Sequence, residues 1–333
     1  VGVVEDGFHL GKMGVELLPV AFPLLRGLFR NPGRHHMQWL SGLVGQHQIA
    51  AGAFKIIGEI IGFSDGCGAH QHTMISHHHD ALVAHELGYA LALIRAGEYD
   101  TMLTGGADGC VLAGMLFGFA RMRAVSTHFN DRPEAASRPF DRDRDGFVLG
   151  EGAWMLVLER EDRARARGAK VYAAVESYAS TCDAYHRVQL EPDGIEIMRC
   201  INTALDRSGR ARESIGYINY HGTSTQLNDA VESRTVRKVF GPLADRIPGS
   251  STKSMIGHPQ GASGAAGVVA TALALSRGIL PPTINLDTPD PQCDLDYVPN
   301  VARIARLRHV LINGHSFGGS VSALVIARLT DED

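Results

Sequence analysis

At 333 residues, with 44% hydrophobic and 20% charged residues, the chain can bury a large core as one α/β domain or as two fused halves. A formal net charge of −4 argues against a nucleic-acid binder, and no run of about 18 apolar residues offers a membrane span. No basic stretch followed by an apolar core marks a signal peptide, and five widely spaced cysteines point to reduced thiols in a cytoplasmic setting.

Residues 1–79 show no clean period. Residues 15–29 are apolar, but Pro19 and Pro23 break any helix there. Histidines crowd this region: His35, His36, His47, His70, His72, His77, His78 and His79. Imidazole suits zinc, copper or nickel. Neighbouring histidines in an extended segment point to opposite faces, however, and no carboxylate or thiolate spacing joins them. A histidine-rich loop ahead of a helix is the better reading, with no metal expected. Val83, Leu87, Ala90, Leu91 and Ile94 then recur at helical spacing, and Gly97 ends the stripe. Residues 99–104 read as a strand running into Gly105-Gly106, and 113–122 as a short helix. Asp141, Asp143, Asp145 and Gly146 imitate the start of a calcium loop, but position twelve is Gly152, and a strand over 154–158 follows where a helix is required. Charged residues 160–167 close a first half, 1–168.

The second half, 169–333, opens with a strand over 171–177. Ile197, Ile201 and Leu205 mark a helix ending near Gly209. A strand over 215–220 delivers Tyr220-His221-Gly222-Thr223-Ser224-Thr225. In the helix over 228–240, Asp229 and Glu232 read as complements to the helix dipole. A strand over 248–253 delivers Lys253-Ser254-Met255-Ile256-Gly257-His258, and small residues from Gly261 open a helix ending near Gly278. Strands over 309–312 and 321–329 flank Asn313-Gly314-His315-Ser316-Phe317-Gly318-Gly319. Ligand sites in α/β folds gather at the carboxyl ends of strands, so His221, Lys253 and His258 are candidates for one pocket. Two imidazoles there can donate to a developing oxyanion or enolate, with a cation to hold the charge. Either histidine alone reads more readily as a satisfied core residue; the pair carries the site.

Three motifs in this order resemble those of the β-ketoacyl-ACP synthases, the condensing enzymes of fatty acid and polyketide synthesis. His221-Gly222-Thr223-Ser224-Thr225 is similar to that family's first histidine motif, and Lys253 through His258 to its lysine and second histidine motif. Arg138-Pro139-Phe140-Asp141 through Asp145-Gly146-Phe147-Val148-Leu149-Gly150-Glu151-Gly152 is similar to a third signature, a loop that buttresses the pocket. The resemblance runs from about Leu87 to the end. It implies a thiolase-like α/β fold, two pseudo-symmetric halves in αβαβα layers. It also implies a reaction: a thiol takes an acyl chain from acyl carrier protein, malonyl-ACP is decarboxylated, and the carbanion attacks the acyl thioester. His221 and His258 would hold the malonyl thioester carbonyl, with Lys253 orienting His258. Thr223 and Thr225 would bond the phosphopantetheine arm, and Phe317 would gate the acyl channel. No cofactor is implied beyond the carrier's phosphopantetheine. The implied partners are acyl carrier protein and a second ketosynthase-type subunit, in a homodimer or heterodimer built through the strand near 99–106 or its neighbours. The chain starts at Val1, and the resemblance implies that an opening strand and helix are missing.

Two positions depart from the family pattern. In the family a cysteine nucleophile opens the helix that here begins near Ala81, where the helix dipole lowers the thiol pKa. Asp80 stands in that place. It is a good helix cap and a poor nucleophile. Cys67 lies thirteen residues too early, and Cys110 follows the next strand. Gly267 stands where many family members carry Glu. Two readings stay open: a condensing enzyme, or a non-elongating relative such as a malonyl decarboxylase or a chain-length-factor-like partner. Retention of both histidines and the lysine favours an enzyme. A remote alternative is an α/β-hydrolase with Ser316 in the G-x-S-x-G match Gly314–Gly318, but no histidine follows Ser316 to complete a triad in that order.

Overall fold

The computed structural model describes residues 13–17, 72–73 and 80–329. The first half contributes strands β1 (Met13–Leu17) and β2 (His72–Thr73), helix α1 (Asp80–Arg95), strand β3 (Thr101–Asp108), helix α2 (Ala113–Arg121), strand β4 (Gly152–Arg160) and helix α3 (Glu161–Ala166). The second half adds β5 (Ala173–Cys182), α4 (Ile195–Ser208), β6 (Ile215–Asn219), α5 (Gln226–Phe240), β7 (Gly249–Ser250), α6 (Lys253–Ile256) and α7 (Ser263–Arg277). A small ribbon, β8 (Ile279–Leu280) with β9 (Arg303–Ile304), precedes β10 (His309–His315) and β11 (Ser320–Ala327). The histidines at 35, 36, 47, 70 and 77–79, together with Cys67, lie outside the described residues.

Nine strands join in one mixed sheet, in the order β2-β3-β4-β1-β5-β11-β10-β6-β7. Strand β1 bridges the halves: Met13 lies opposite Arg160 of β4 and opposite Val175 of β5. Side-chain alternation places two cores on the two faces of the second half. Val310, Ile312, Leu324 and Ile326 enter one core; Leu311, Val321, Ala323 and Val325 enter the other. The first core also takes Leu87, Ala90, Leu91 and Ile94 of α1, with Val268, Ala272 and Leu275 of α7. Helices α1 and α7 pack on each other and touch strands of both halves, the helical layer expected between them. Gly88 makes the close approach possible, because a Cβ there would fall 2.2 Å from the Tyr178 ring of β5.

Several boundaries differ from expectation. Strand β10 runs three residues further, to His315, because Asn313 and Gly314 stay paired with Ala323 and Ser322. The strand expected over 248–253 shrinks to Gly249–Ser250. The Ser251 hydroxyl takes the Lys253 N–H at 3.3 Å and turns the chain, so Lys253 opens a short helix. Strand β3 pairs with β4 along its length and with β2 at Met102 and Leu103, which puts the short β2 at that edge of the sheet.

Candidate functional site

Strand β6 stops at Asn219, and the chain leaving it carries His221. Glu232 on α5 fixes this exit: its two carboxylate oxygens accept the backbone N–H groups of His221 and Gly222 at 2.8 and 2.9 Å, and Asn313 Nδ2 donates to it at 3.2 Å. Burial pushes the Glu232 carboxyl up to about 7 despite these bonds. Asp229, one turn earlier, accepts the Phe140 N–H at 2.9 Å. Complementing a helix dipole is therefore not the main task of these two carboxylates; they are buried anchors for the loop at 221–222 and for the third signature. Arg144 completes the joint. Its fully buried guanidinium bonds Asp290 at 2.6 Å, lies 3.5 Å from Asp229, and donates to the carbonyls of Thr225 and Gln226. Removing it strands a buried carboxylate. Arg144→Met is expected to cost about 3–5 kcal/mol of stability in urea denaturation, and a loss below about 1 kcal/mol would contradict this role.

The second motif meets the first through Lys253, whose Nζ donates to the His221 carbonyl at 2.7 Å. His258 is framed by the third signature: its N–H reaches Val148 O at 2.7 Å, and its carbonyl accepts from Gly150 at 3.0 Å. A Cβ on Gly150 would sit 2.3 Å from Ile256 O, so only glycine fits there. The expected buttress is thus present, and its Phe147 ring lies 5.2 Å from that of His258. The calcium reading falls, because the carboxylates serve separate tasks. Asp141 accepts from Arg138, Asp143, Asp287 and Thr288, while Asp145 accepts from Ser126, Thr127 and His128. Among the described residues no group of three His, Cys, Asp or Glu side chains is placed to hold a metal.

The two expected histidines converge, with ring centroids 5.6 Å apart. A third imidazole, His315, lies 5.0 Å from His221. The sequence reading missed it, although it sits inside the glycine-rich motif. Phe317, two residues on, stacks on Phe119 at 6.1 Å, and Phe119 meets Phe147 at 5.2 Å. Six aromatic rings thus form an arc from Phe317 through Phe119, Phe147, His258 and His221 to His315. Thr223 and Thr225 share a hydroxyl–hydroxyl bond of 2.9 Å, which leaves one of the two O–H groups to donate to a ligand. Ser316 lies in the turn of the β10–β11 hairpin, with its hydroxyl on Phe317 O at 3.2 Å. No helix follows it, so the nucleophile elbow of a hydrolase is absent. Cys110 is buried with its thiol on Gly150 O at 3.3 Å. Asp80 is the first residue of α1, so a helix begins where the nucleophile was expected. At Gly267 a side chain would crowd Asn219 Oδ1, 3.1 Å from the Cβ position, and the space beside Lys253 stays open as a small cavity.

Burial, followed by the charge of Lys253, holds His221 well below the ordinary histidine range and pushes His315 down to about 3. Both rings are neutral in the fold but take protons below about 6.5 once unfolded. The unfolded state then binds more protons, so their contribution to stability is lost as pH falls below 6.5, with a slope approaching about 1.4 kcal/mol per pH unit for each histidine. Glu232 works in the opposite sense: its stabilisation is complete below its ordinary 4.5 and lost as pH rises to about 7. In urea midpoints measured from pH 5 to 6.5, His315→Phe should therefore reduce the stability slope by about one proton. An unchanged slope would contradict a neutral, buried His315.

Two family models match: the β-ketoacyl synthase N-terminal domain over residues 82–164 and the C-terminal domain over 172–287. The chain is similar to 3-oxoacyl-[acyl-carrier-protein] synthase 2 of Rhizobium meliloti, 43% identical over 282 residues, covering 83% of this chain and 67% of that one. It is similar also to the tetracenomycin polyketide synthase ketoacyl synthase alpha subunit of Streptomyces glaucescens, 47% identical over 242 residues, with 73% and 57% covered. Among solved structures, AntDE:AntF, a type II polyketide synthase acyl-carrier protein in complex with its ketosynthase, superposes with a TM-score of 0.73 at 38% identity, over 75% of this chain and 61% of that one. The ishigamide ketosynthase/chain length factor gives 0.69 at 40%, over 74% and 58%. The chain spans between about half and two thirds of the length of the curated relatives it matches.

Proposed function

The chain belongs to the β-ketoacyl synthase family, with its thiolase-like fold, and from that premise we propose that it is an acyltransferase of the 3-oxoacyl-ACP synthase type, acting in fatty acid or polyketide synthesis. The observation that carries this reading is the convergence of His221 and His258 at 5.6 Å beside Lys253. A neutral imidazole keeps one N–H to donate. An N–H from each of the His221 and His258 rings, aimed at the carbonyl of a malonyl thioester, stabilises charge that grows as decarboxylation proceeds. The bond from the α-carbon to the carboxylate breaks, its electron pair becomes the enolate, and carbon dioxide leaves. The enolate carbon then attacks the carbonyl of an acyl thioester, forming the new carbon–carbon bond as the carbon–sulfur bond breaks and the thiolate leaves, or, lacking one, takes a proton to give the acetyl thioester. No cofactor beyond the carrier's phosphopantetheine enters this scheme.

Similarity to ketosynthases supports the condensing enzyme over a chain-length-factor-like partner. One residue speaks for slow or absent elongation, Asp80 at the head of α1. Acyl carrier protein is the proposed donor of both substrates, since a structural neighbour is a ketosynthase in complex with one. A second ketosynthase-type subunit is proposed as well. Exposed Val111, Leu112, Met115, Leu116 and Phe117, on and just before α2, supply an apolar surface of the kind a subunit covers. Among the described residues no helix is long and apolar enough to cross a membrane, in keeping with a cytoplasmic setting. The test is incubation with malonyl-ACP, followed by mass. Conversion to acetyl-ACP is expected, and none at all would refute the proposal.

A further inference from the structure

The small cavity beside Lys253 takes no part in the reaction scheme. Asn219, His221, Lys253, Ser263, Gly264 and Gly267 line most of it. No acidic residue is among its lining, and Lys253 brings a positive charge. Two further features favour negative charge there. Ser263 and Gly264 are the first two residues of the fifteen-residue helix α7, whose first turn holds no acidic residue and no side-chain cap. The positive end of that helix dipole therefore lies at the cavity wall. The second feature is Asn219, which is 3% exposed and whose Nδ2 makes no hydrogen bond within the described structure. The Tyr217 hydroxyl is near enough for this amide to ease its ionisation, but it is engaged by Ser250 Oγ at 2.6 Å. The Asn219 amide faces Gly267: its Oδ1 falls 3.1 Å from the Cβ position of that glycine. A buried donor without an acceptor carries its full desolvation penalty, and at a cavity it calls for an acceptor from a ligand.

Size and charge narrow what that ligand is. The cavity has room for about one body of water size. A cation is opposed by Lys253 and by the helix dipole. Asn313 supplies the one opposing feature, an Oδ1 acceptor without a hydrogen bond. As a neutral dipole it counts for less than the full charge of Lys253. We propose that this cavity binds a small monovalent anion, of the size of chloride, held by Lys253, by the Asn219 N–H and by the N-terminus of α7. Glycine at 267 is what leaves the space, since any side chain there would enter it. The bound ion opposes the charge of Lys253 where that charge bears on His221, while burial, the larger cause, still keeps the ring neutral. The inference stands on the cavity and does not depend on the condensing reaction.

The test follows the thermal unfolding midpoint of the full chain as potassium chloride or bromide replaces potassium gluconate at constant ionic strength. Gluconate is too large for the cavity. The midpoint should rise and then level off with halide concentration, as mass action requires of an ion held by the folded state alone. Crystals grown in bromide should show its anomalous signal among Asn219, Lys253 and Ser263. Asn219→Asp replaces the N–H donor by a carboxylate and should raise the halide concentration needed by about tenfold or more. Gly267→Ala, whose Cβ takes up the space, serves if the aspartate variant does not fold. A midpoint indifferent to the exchange makes water the occupant, and one that instead follows a change from potassium to sodium makes it a cation. Either result overturns the inference, as does a bromide signal only elsewhere or an undiminished response in both variants. All of these outcomes leave the condensing-enzyme reading standing.

Discussion

Alanine at His221 or His258 is expected to lower malonyl-thioester decarboxylation by about 10²–10³-fold, the usual consequence of losing one oxyanion donor. The structure separates this effect from misfolding. The loop at 221 is held by backbone bonds: its N–H goes to Glu232 and its carbonyl accepts from Lys253. The segment at 258 is likewise held through its own N–H and carbonyl by Val148 and Gly150. Neither anchor uses the imidazole, so both variants should keep the fold while losing the chemistry. Acetyl-ACP formation by each variant, measured beside its urea midpoint, makes the comparison. A loss of less than about tenfold in both would mean that charge at the thioester oxygen is stabilised by something other than this pair.

The second large effect concerns acyl transfer. Incubated with acyl-ACP, the unmodified chain should show no acyl adduct by intact mass, whereas Asp80→Cys should gain one. Thioester exchange needs a soft nucleophile whose product is a thioester of similar energy, and a carboxylate attack would give a mixed anhydride, far higher in energy and open to hydrolysis. A cysteine at residue 80 would open the sixteen-residue helix α1, where the positive end of the dipole favours the thiolate. With malonyl-ACP also present, elongated product should come from the variant and decarboxylation alone from the unmodified chain. A stable adduct on the unmodified chain would overturn this assignment and direct attention to its cysteines, Cys67 among them.

What the sequence determined by itself is what neighbours along the chain decide. Ile197, Ile201 and Leu205 announced α4, and Gly209, left-handed at φ 65°, ended it where expected, because periodicity and capping act within a turn or two. The motifs at 221–225 and 253–258 were legible for a related reason: their chemistry lies in residue types at short spacing. Tertiary structure decided the rest. Strand β10 reaches His315 only because β11 keeps pairing with it. Glu232 holds Asn313 across 81 positions of sequence, and His315 Nδ1 meets Asn228 Oδ1 across 87. Whether Asp141 and Asp145 shared an ion or went to separate partners depended on segments as distant as Asp287 and Thr288. No local pattern encodes these choices. A buried carboxylate or imidazole is committed by whichever donor the folded chain brings within about 3 Å, and that partner is chosen by the packing of remote segments.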